Sequence, residues 1–187
     1  MNVLLLGSGG REHALAWAIS ASPLLDKLTC APGNAGIAEI APCVDLDPLD
    51  FAKITEFCRG NKIELVVVGP EAPLAAGIVD HLETQSIRAF GPRQFAAQLE
   101  SSKGFTKDLC AANDIPTARY RRFTGLAAAK DYAADHPLPV VIKADGLAAG
   151  KGVIVAPTRA EASAALDAMF AGEMGKRGIV IEEFLEG

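Results

Sequence analysis

The sequence predicts an α/β protein with an open parallel sheet in its first half and a smaller α+β unit in its second half. Up to about Pro92, short apolar runs alternate with helical stretches. Nearly continuous apolar runs are typical of parallel strands that helices cover on both faces. Strand–helix alternation of this kind indicates right-handed βαβ units. Beyond Pro92 the pattern changes to helices and strands arranged around a glycine-rich segment.

Four strands and three helices are predicted in the first half. The strands are Asn2–Leu6, Lys27–Ala31, Glu64–Gly69 and Ile87–Gly91, and the helices are Glu12–Ser20, Pro48–Arg59 and Leu74–Glu83. The second helix has a clear start signal, because Asp47 can cap it and proline suits the first helical position.

The second half is predicted to begin with a helical stretch over residues 94–113 that breaks around Ser101–Ser102. It continues with strands at Arg119–Phe123, Val140–Ala144, Val153–Ala156 and Ile179–Glu183, and with a helix at Leu126–Ala134. Thr158 and Glu161 form a T-x-x-E capping box that starts the last helix. We place the domain boundary between Pro92 and Ser101.

Composition excludes several classes of function. Half of the 187 residues are hydrophobic and 22% are charged, which suits a protein with a sizeable core. The net charge of -5 argues against nucleic-acid binding. The N-terminal apolar run is too short for a signal peptide or a membrane span. Four scattered cysteines and three histidines without metal-ligand spacing indicate reduced thiols and no histidine metal site, so we expect a cytoplasmic protein.

The first glycine-rich turn, Gly7-Ser8-Gly9-Gly10-Arg11-Glu12, follows the first strand and opens the first helix. A helix N-terminus offers unpaired N–H groups and a positive dipole end to an anion. The dinucleotide fingerprint G-x-G-x-x-G would need glycine where Glu12 stands, and the second strand lacks the acidic residue that binds ribose. Arg11 favours a terminal phosphate instead. A tight turn without a ligand is the alternative.

Two further turns, "PGNAG" (residues 32–36) and "GPEAPL" (residues 69–74), fall at the carboxyl ends of strands. Ligands of open α/β sheets bind at that edge. Asn34 and Glu71 could therefore hydrogen-bond ribose hydroxyls or an amine beside Arg11. Taken singly, each segment is also explained as a plain turn, because Gly, Pro and Asn favour turns.

The segment "IKADGLAAGKGVIVA" (residues 142–156) is not a Walker P-loop. Its glycine spacing is one residue short, no Ser or Thr follows Lys151, and strands flank it on both sides. A flexible glycine hairpin that folds over a triphosphate is the alternative, since glycines let backbone N–H groups approach phosphate closely. Lys143 and Lys103 are placed to contribute positive charge, and "IEEFLEG" resembles an edge that reads adenine with backbone groups.

Six motifs in order, "GSGGREHAL", "APGNAG", "VGPEAPL", "LESSKGFTK", "IKADGLAAGKGV" and "IEEFLEG", closely resemble the phosphoribosylamine–glycine ligase (glycinamide ribonucleotide synthetase) family of ATP-grasp enzymes. The resemblance runs from residue 1 to residue 187. It implies a Rossmann-like, substrate-side (pre-ATP-grasp) domain over residues 1–100, a helical connector over 101–122 and an ATP-grasp lid over 123–187. It also implies that ATP phosphorylates glycine and that 5-phosphoribosylamine then attacks the glycyl phosphate.

The resemblance also implies roles for individual residues. Gly9, Gly10 and Arg11 would hold the ribose 5-phosphate, with Asn34 and Glu71 nearby. Lys103, Lys143 and Lys151 would act on the ATP phosphates. The nucleotide site would comprise Lys103, Lys143, Asp145, Gly146, Gly150, Lys151, Gly152, Glu182, Glu183, Phe184 and Leu185, with the loop at 145–152 closing over the phosphates.

The family's Mg²⁺ or Mn²⁺ ligands have no counterpart in this sequence, so we expect them beyond residue 187. The resemblance therefore predicts a monomeric N-terminal part of the ligase that folds but does not catalyse ligation by itself. Two alternatives remain open at this point. One is a non-catalytic module that binds nucleotide or a partner, and the other is a nicotinamide-dependent oxidoreductase.

Overall fold

The computed structural model describes residues 1–148 and 152–186. The chain divides into two compact units, residues 1–97 and residues 98–187. Each unit contains its own four-stranded sheet. The predicted α/β class is confirmed, because the first sheet is entirely parallel and the second is entirely antiparallel.

The first unit alternates strands with helices. Its elements are β1 (Asn2–Gly7), α1 (Gly10–Ser20), β2 (Lys27–Pro32), α2 (Ala35–Ala38), α3 (Phe51–Gly60), β3 (Leu65–Val68), α4 (Glu71–Ala76), α5 (Ile78–Thr84), β4 (Ala89–Phe90) and α6 (Gln94–Ser101), the last of which crosses the division. The strand order is β2-β1-β3-β4. All four predicted strands are present.

Strand β1 shows why an almost continuous apolar run forms this sheet. Leu4 and Leu6 belong to the apolar cluster on one face, and Val3 and Leu5 belong to the cluster on the other face. Successive side chains of a strand point to opposite faces, so a central strand that is covered twice needs an apolar residue at every position. Because β1 is paired in parallel with both β2 and β3, the carboxyl ends of the three strands meet at one edge of the sheet.

Two predicted helices differ from the structure. Helix α3 is capped by Asp50, whose Oδ1 accepts from Lys53 N at 3.1 Å, and it begins three residues later than predicted. Asp47 instead accepts from Leu49 N at 2.9 Å, which closes a turn before the helix. The predicted helix at 74–83 is two helices, because Gly77 adopts a left-handed φ of 94° between α4 and α5.

The second unit is a mixed α+β unit. Its further elements are α7 (Lys103–Ala112), β5 (Tyr120–Phe123), α8 (Leu126–Asp135), β6 (Val140–Ala144), β7 (Val153–Ala156), α9 (Arg159–Ala171), a 3₁₀ helix (Glu173–Arg177) and β8 (Ile179–Glu183). The strand order is β5-β8-β6-β7. The predicted helix break is confirmed, since Ser102 separates α6 from α7 and caps α7 at Phe105 N.

The second sheet buries one face against α8 and α9. That core contains Ile142, Ile181 and Leu166, all fully buried. Because side chains alternate along a strand, Lys143 on β6 and Glu182 on β8 belong to the opposite face. The T-x-x-E start of α9 is confirmed, as Thr158 Oγ1 accepts from Glu161 N at 3.2 Å. The opposite face of β6 and β8, which we call the charged face, therefore carries Lys143 and Glu182 beside the buried valines Val141 and Val180.

None of the helices in the described ranges has the length and hydropathy that a membrane crossing requires. All four cysteines are free. Cys30 and Cys58 are buried, and burial raises the pKa of each thiol to about 11. Cys43 is exposed and Cys110 is half-buried.

Candidate functional site

Three turns meet at the carboxyl edge of the first sheet, as their positions after β1, β2 and β3 predict. Gly33 N donates to Gly7 O at 3.1 Å, and Gly69 N donates to Leu6 O at 3.1 Å. Asn34 Nδ2 also donates to Ser8 O at 2.8 Å. The glycine-rich turn after β1 is thereby bonded to the turn after β2 and lies beside the turn after β3.

Glu12 fills the centre of this edge. Its side chain is only 5% exposed, and its Oε2 accepts from Gly9 N at 2.7 Å. A Cβ on Gly7 or on Gly69 would come within 2.5 Å of Glu12 Cγ. The glycines of the turns therefore leave room for a buried carboxylate. In a dinucleotide fingerprint, glycines at such a turn let the backbone approach a pyrophosphate instead.

Arg11 is held at the edge by two acidic side chains. Its Nε donates to Glu12 Oε1 and its Nη1 donates to Glu71 Oε1, both at 3.0 Å. These bonds raise the pKa of Arg11, and the bond from Arg11 lowers the pKa of Glu71. The bonds use two of the five guanidinium N–H donors. The side chain is 55% exposed, so the aligned cation can still meet an anion from solvent.

Asn34 is engaged at both ends of its carboxamide. Its Oδ1 accepts from Ile37 N at 2.9 Å and caps α2, while its Nδ2 is bonded to Ser8. The side chain therefore joins the two turns, and one N–H of Nδ2 and one lone pair of Oδ1 remain for the predicted contact with ribose. Gly10 is different, because a Cβ there would meet nothing within 4 Å. The start of α1 is thus open at Gly10.

A second cluster lies on the charged face of the second sheet, and we call Lys107, Lys143 and Glu182 the lysine–glutamate cluster. Lys143 Nζ lies 2.9 Å from Glu182 Oε2, and Lys107 Nζ lies 3.1 Å from the same oxygen. The Glu182 side chain is only 4% exposed. Within the described ranges its other oxygen, Oε1, is buried and has no hydrogen-bond partner.

The segment after β6 is tied to the start of α7. Asp145 accepts from Ser102 Oγ at 3.2 Å and from Gly104 N at 3.3 Å. Lys103 Nζ donates to Gly146 O at 2.9 Å, and Gly146 has a left-handed φ of 112° that favours glycine. Asp145 and Lys103 thus anchor the beginning of the glycine-rich segment. Lys103 and Lys143, predicted to act together, bond to different partners.

The remaining predicted nucleotide residues fall into four groups. Glu183 accepts from Arg119 N and Nε, both at 2.8 Å, and these bonds lower its pKa. Phe184 and Leu185, which follow β8, are exposed. Gly152 is buried next to β7. Gly150 and Lys151 lie outside the described residues, and so does the middle of the predicted closing loop at 145–152.

Sequence reasoning missed two residues at these sites. Glu12 was considered only as a missing glycine, although its position three residues after Gly9 is the spacing at which a glutamate reaches back to a cap. Lys107 ends the motif "LESSKGFTK", which by itself indicates no role for it. Its spacing of four residues from Lys103 places both on one face of α7, which was the available signal.

The fold and these two sites define an ATP-grasp protein preceded by a parallel-sheet domain. Residues 1–100 match the family described as phosphoribosylglycinamide synthetase, N domain. Residues 101–187 match phosphoribosylglycinamide synthetase, ATP-grasp (A) domain. The chain belongs to the phosphoribosylglycinamide synthetase family.

Curated relatives and solved structures agree with this assignment. The chain is 64% identical over 189 residues to phosphoribosylamine–glycine ligase of Mesorhizobium japonicum, which matches all of this chain and 44% of the relative. The crystal structure of the Thermotoga maritima ligase is similar with a TM-score of 0.78 at 29% identity, again over 44% of its length. A biotin carboxylase–ATP-analogue complex from Campylobacter jejuni, at 18% identity and a TM-score of 0.74, shares the fold. The chain thus spans less than half the length of these relatives.

Proposed function

We propose that this chain carries the phosphate-binding and nucleotide-binding parts of a phosphoribosylamine–glycine ligase. The reaction joins glycine to 5-phosphoribosylamine through a glycyl phosphate and yields glycinamide ribonucleotide, ADP and phosphate, a step of purine biosynthesis. The names of relatives at 64% and 58% identity support this reaction. A monomer in the cytoplasm, acting on these small molecules, is part of the same proposal.

The lysine–glutamate cluster is the observation that carries the nucleotide part of the proposal. Lys143 lies on strand β6, and its side chain is 26% exposed. It can therefore meet a ligand phosphate, and its strand is bonded along its length to β7 and β8. Oε1 of Glu182, which has no hydrogen-bond partner in the part of the chain that the structure describes, is an acceptor that a ligand N–H or O–H could satisfy. Phosphoryl transfer depends mainly on positioning and charge stabilisation, which such groups provide.

The edge around Arg11 supports the phosphoribosyl part of the proposal. Arg11 lies in the first turn of α1, an 11-residue helix whose N-terminus adds unpaired N–H groups and a positive dipole end. A guanidinium can bind phosphate through paired, charge-assisted hydrogen bonds. Glu12 and Glu71 hold the guanidinium in place, which lowers the cost of ordering it when the ligand binds.

The ligase reaction also implies a divalent metal ion. In the part of the chain that the structure describes, no group of three His, Cys, Asp or Glu residues could hold one. The acidic groups of both sites are already bonded to Arg or Lys. These residues therefore do not fit a magnesium site, and we assign no step of the reaction to a metal held by them.

Replacing Arg11 with alanine is expected to weaken binding of glycinamide ribonucleotide by about 1.5–3 kcal/mol, since a charge-assisted pair is lost. Isothermal titration calorimetry measures the change. Arg93→Ala is the matched control, because Arg93 is also exposed and paired with a glutamate, Glu83 at 2.7 Å, in the same unit. Equal affinity of Arg11→Ala and the unaltered chain would contradict the phosphate assignment.

A further inference from the structure

Lys107 is a buried lysine whose ammonium group is held by two hydrogen bonds and an ion pair. Its side chain is 11% exposed. Its Nζ donates to Thr117 Oγ1 at 2.8 Å and to Ala118 O at 3.0 Å, and it lies 3.1 Å from Glu182 Oε2. Two of the three ammonium donors are thus hydrogen-bonded to Thr117 and Ala118, and the group is also ion-paired with Glu182. Lys107 is therefore a fixed cation and is not available to a ligand.

Glu182 is unevenly surrounded. Two ammonium groups face Oε2, whereas Oε1 is buried without a partner among the described residues. A buried acceptor without a bond is costly, and in native proteins such atoms call for an explanation. A ligand that donates an N–H or O–H to Oε1 would explain it. This requires that the carboxylate keeps its orientation when the ligand arrives.

The two lysines differ in how freely they can leave Glu182. The Lys143 side chain is more than twice as exposed as that of Lys107, and Lys143 Nζ donates a hydrogen bond to Glu182 Oε2. A ligand phosphate competes with Glu182 for Lys143, because both are anions. Once Lys143 has turned to the phosphate, Lys107 is the cation that remains beside the buried carboxylate.

We propose that Lys107 is a positioning residue of the nucleotide site. It balances the charge of Glu182 and fixes its orientation, so that Lys143 can move to a ligand phosphate while Oε1 stays available to a ligand donor. This inference rests on the proposed nucleotide function. Lys107 acts through Glu182 and Lys143 and does not itself contact the nucleotide.

The first consequence concerns Lys107→Met, which removes the charge and keeps a long side chain. Among the described residues, Lys143 is then the one cation paired with Glu182, so a phosphate that binds Lys143 would leave the buried carboxylate without a cation. We expect the dissociation constant for ATP, measured by calorimetry in magnesium buffer, to rise about tenfold. Lys130→Met is the control, because it removes another ion-paired lysine of this unit, held by Asp167 at 2.7 Å, and should leave ATP affinity unchanged.

The second consequence separates positioning from a general loss of structure. In a Glu182→Gln background Lys107 has no carboxylate to balance. E182Q and the double variant K107M/E182Q should therefore bind ATP with dissociation constants within about threefold of each other, although K107M alone differs from the unaltered chain about tenfold. If K107M alone does not fold, a loss of ATP affinity in K107M/E182Q relative to E182Q still overturns the inference, and equal affinity in a folded double variant supports it, since the charge of Glu182 is then what makes Lys107 necessary.

The outcomes distinguish this inference from the proposed function. A tenfold loss in K107M that disappears in the Glu182→Gln background supports it. Unchanged ATP affinity in K107M, or an equal loss in both backgrounds, overturns it while ATP binding by the unaltered chain stands. No ATP binding by the unaltered chain would overturn the inference and the proposed nucleotide function together.

Discussion

Replacing Gly69 with alanine is expected to destabilise the first unit by about 1–3 kcal/mol, the range for overpacking a filled interior. The added Cβ would lie 2.5 Å from Glu12 Cγ and 2.7 Å from Glu12 Cδ. Glu12 has no free space to move into, because it is buried and bonded to Gly9 N and Arg11 Nε. Urea unfolding followed by circular dichroism measures the change in the free energy of unfolding.

Gly60→Ala is the matched control for this substitution. Gly60 is the last residue of α3, and a Cβ there would meet nothing within 4 Å. Alanine at this position should leave stability unchanged or raise it slightly, since alanine favours helix more than glycine does. If both variants unfolded at the same urea concentration, Glu12 would not be the tightly packed centre of the edge.

Replacing Lys143 with methionine is expected to weaken ATP binding by about 1.5–3 kcal/mol, or roughly 10- to 150-fold in the dissociation constant. The variant removes the partly exposed cation of the lysine–glutamate cluster. The fold should persist, because Glu182 keeps its pair with the buried Lys107. Calorimetry gives the affinity, and thermal unfolding reports whether the variant is folded.

Lys176→Met is the control for charge alone. Lys176 is exposed and pairs with Glu173 in the 3₁₀ helix of the same unit. It lowers the net charge by the same amount as Lys143→Met, so any general effect of charge on an anionic ligand should appear in both variants. Equal affinities in the two variants would mean that Lys143 has no specific contact with the nucleotide.

The fold was predictable wherever one physical rule governed a segment. Strand β1 must be apolar at every position because helices cover the sheet on both sides, and its residues show this directly. The break at Ser102 was visible because serine is a good helix cap. The start of α3 was misassigned because Asp47 and Asp50 can both cap, and only the turn that precedes the helix decides between them.

The candidate sites were predictable as sets of motifs but not as contacts. Sequence position placed Arg11 and Glu71 at the same sheet edge, and the structure joins them at 3.0 Å. It could not show that Glu12 turns inward, since that depends on two glycines 62 residues apart in sequence, Gly7 and Gly69, packing around one side chain. The role of Lys107 was not predictable for a similar reason, because its partner Glu182 lies far from it in sequence, on the last strand of the unit.

Hydrogen–deuterium exchange with and without ATP in magnesium buffer tests the central claim most directly, namely that the charged face of the second sheet binds nucleotide. The account predicts slower exchange with ATP in peptides that contain β6 (Val140–Ala144) and β8 (Ile179–Glu183), and no change when NADH replaces ATP. Protection by ATP confined to the turn after β1, equal protection by NADH, or no protection at β6 and β8 would contradict it.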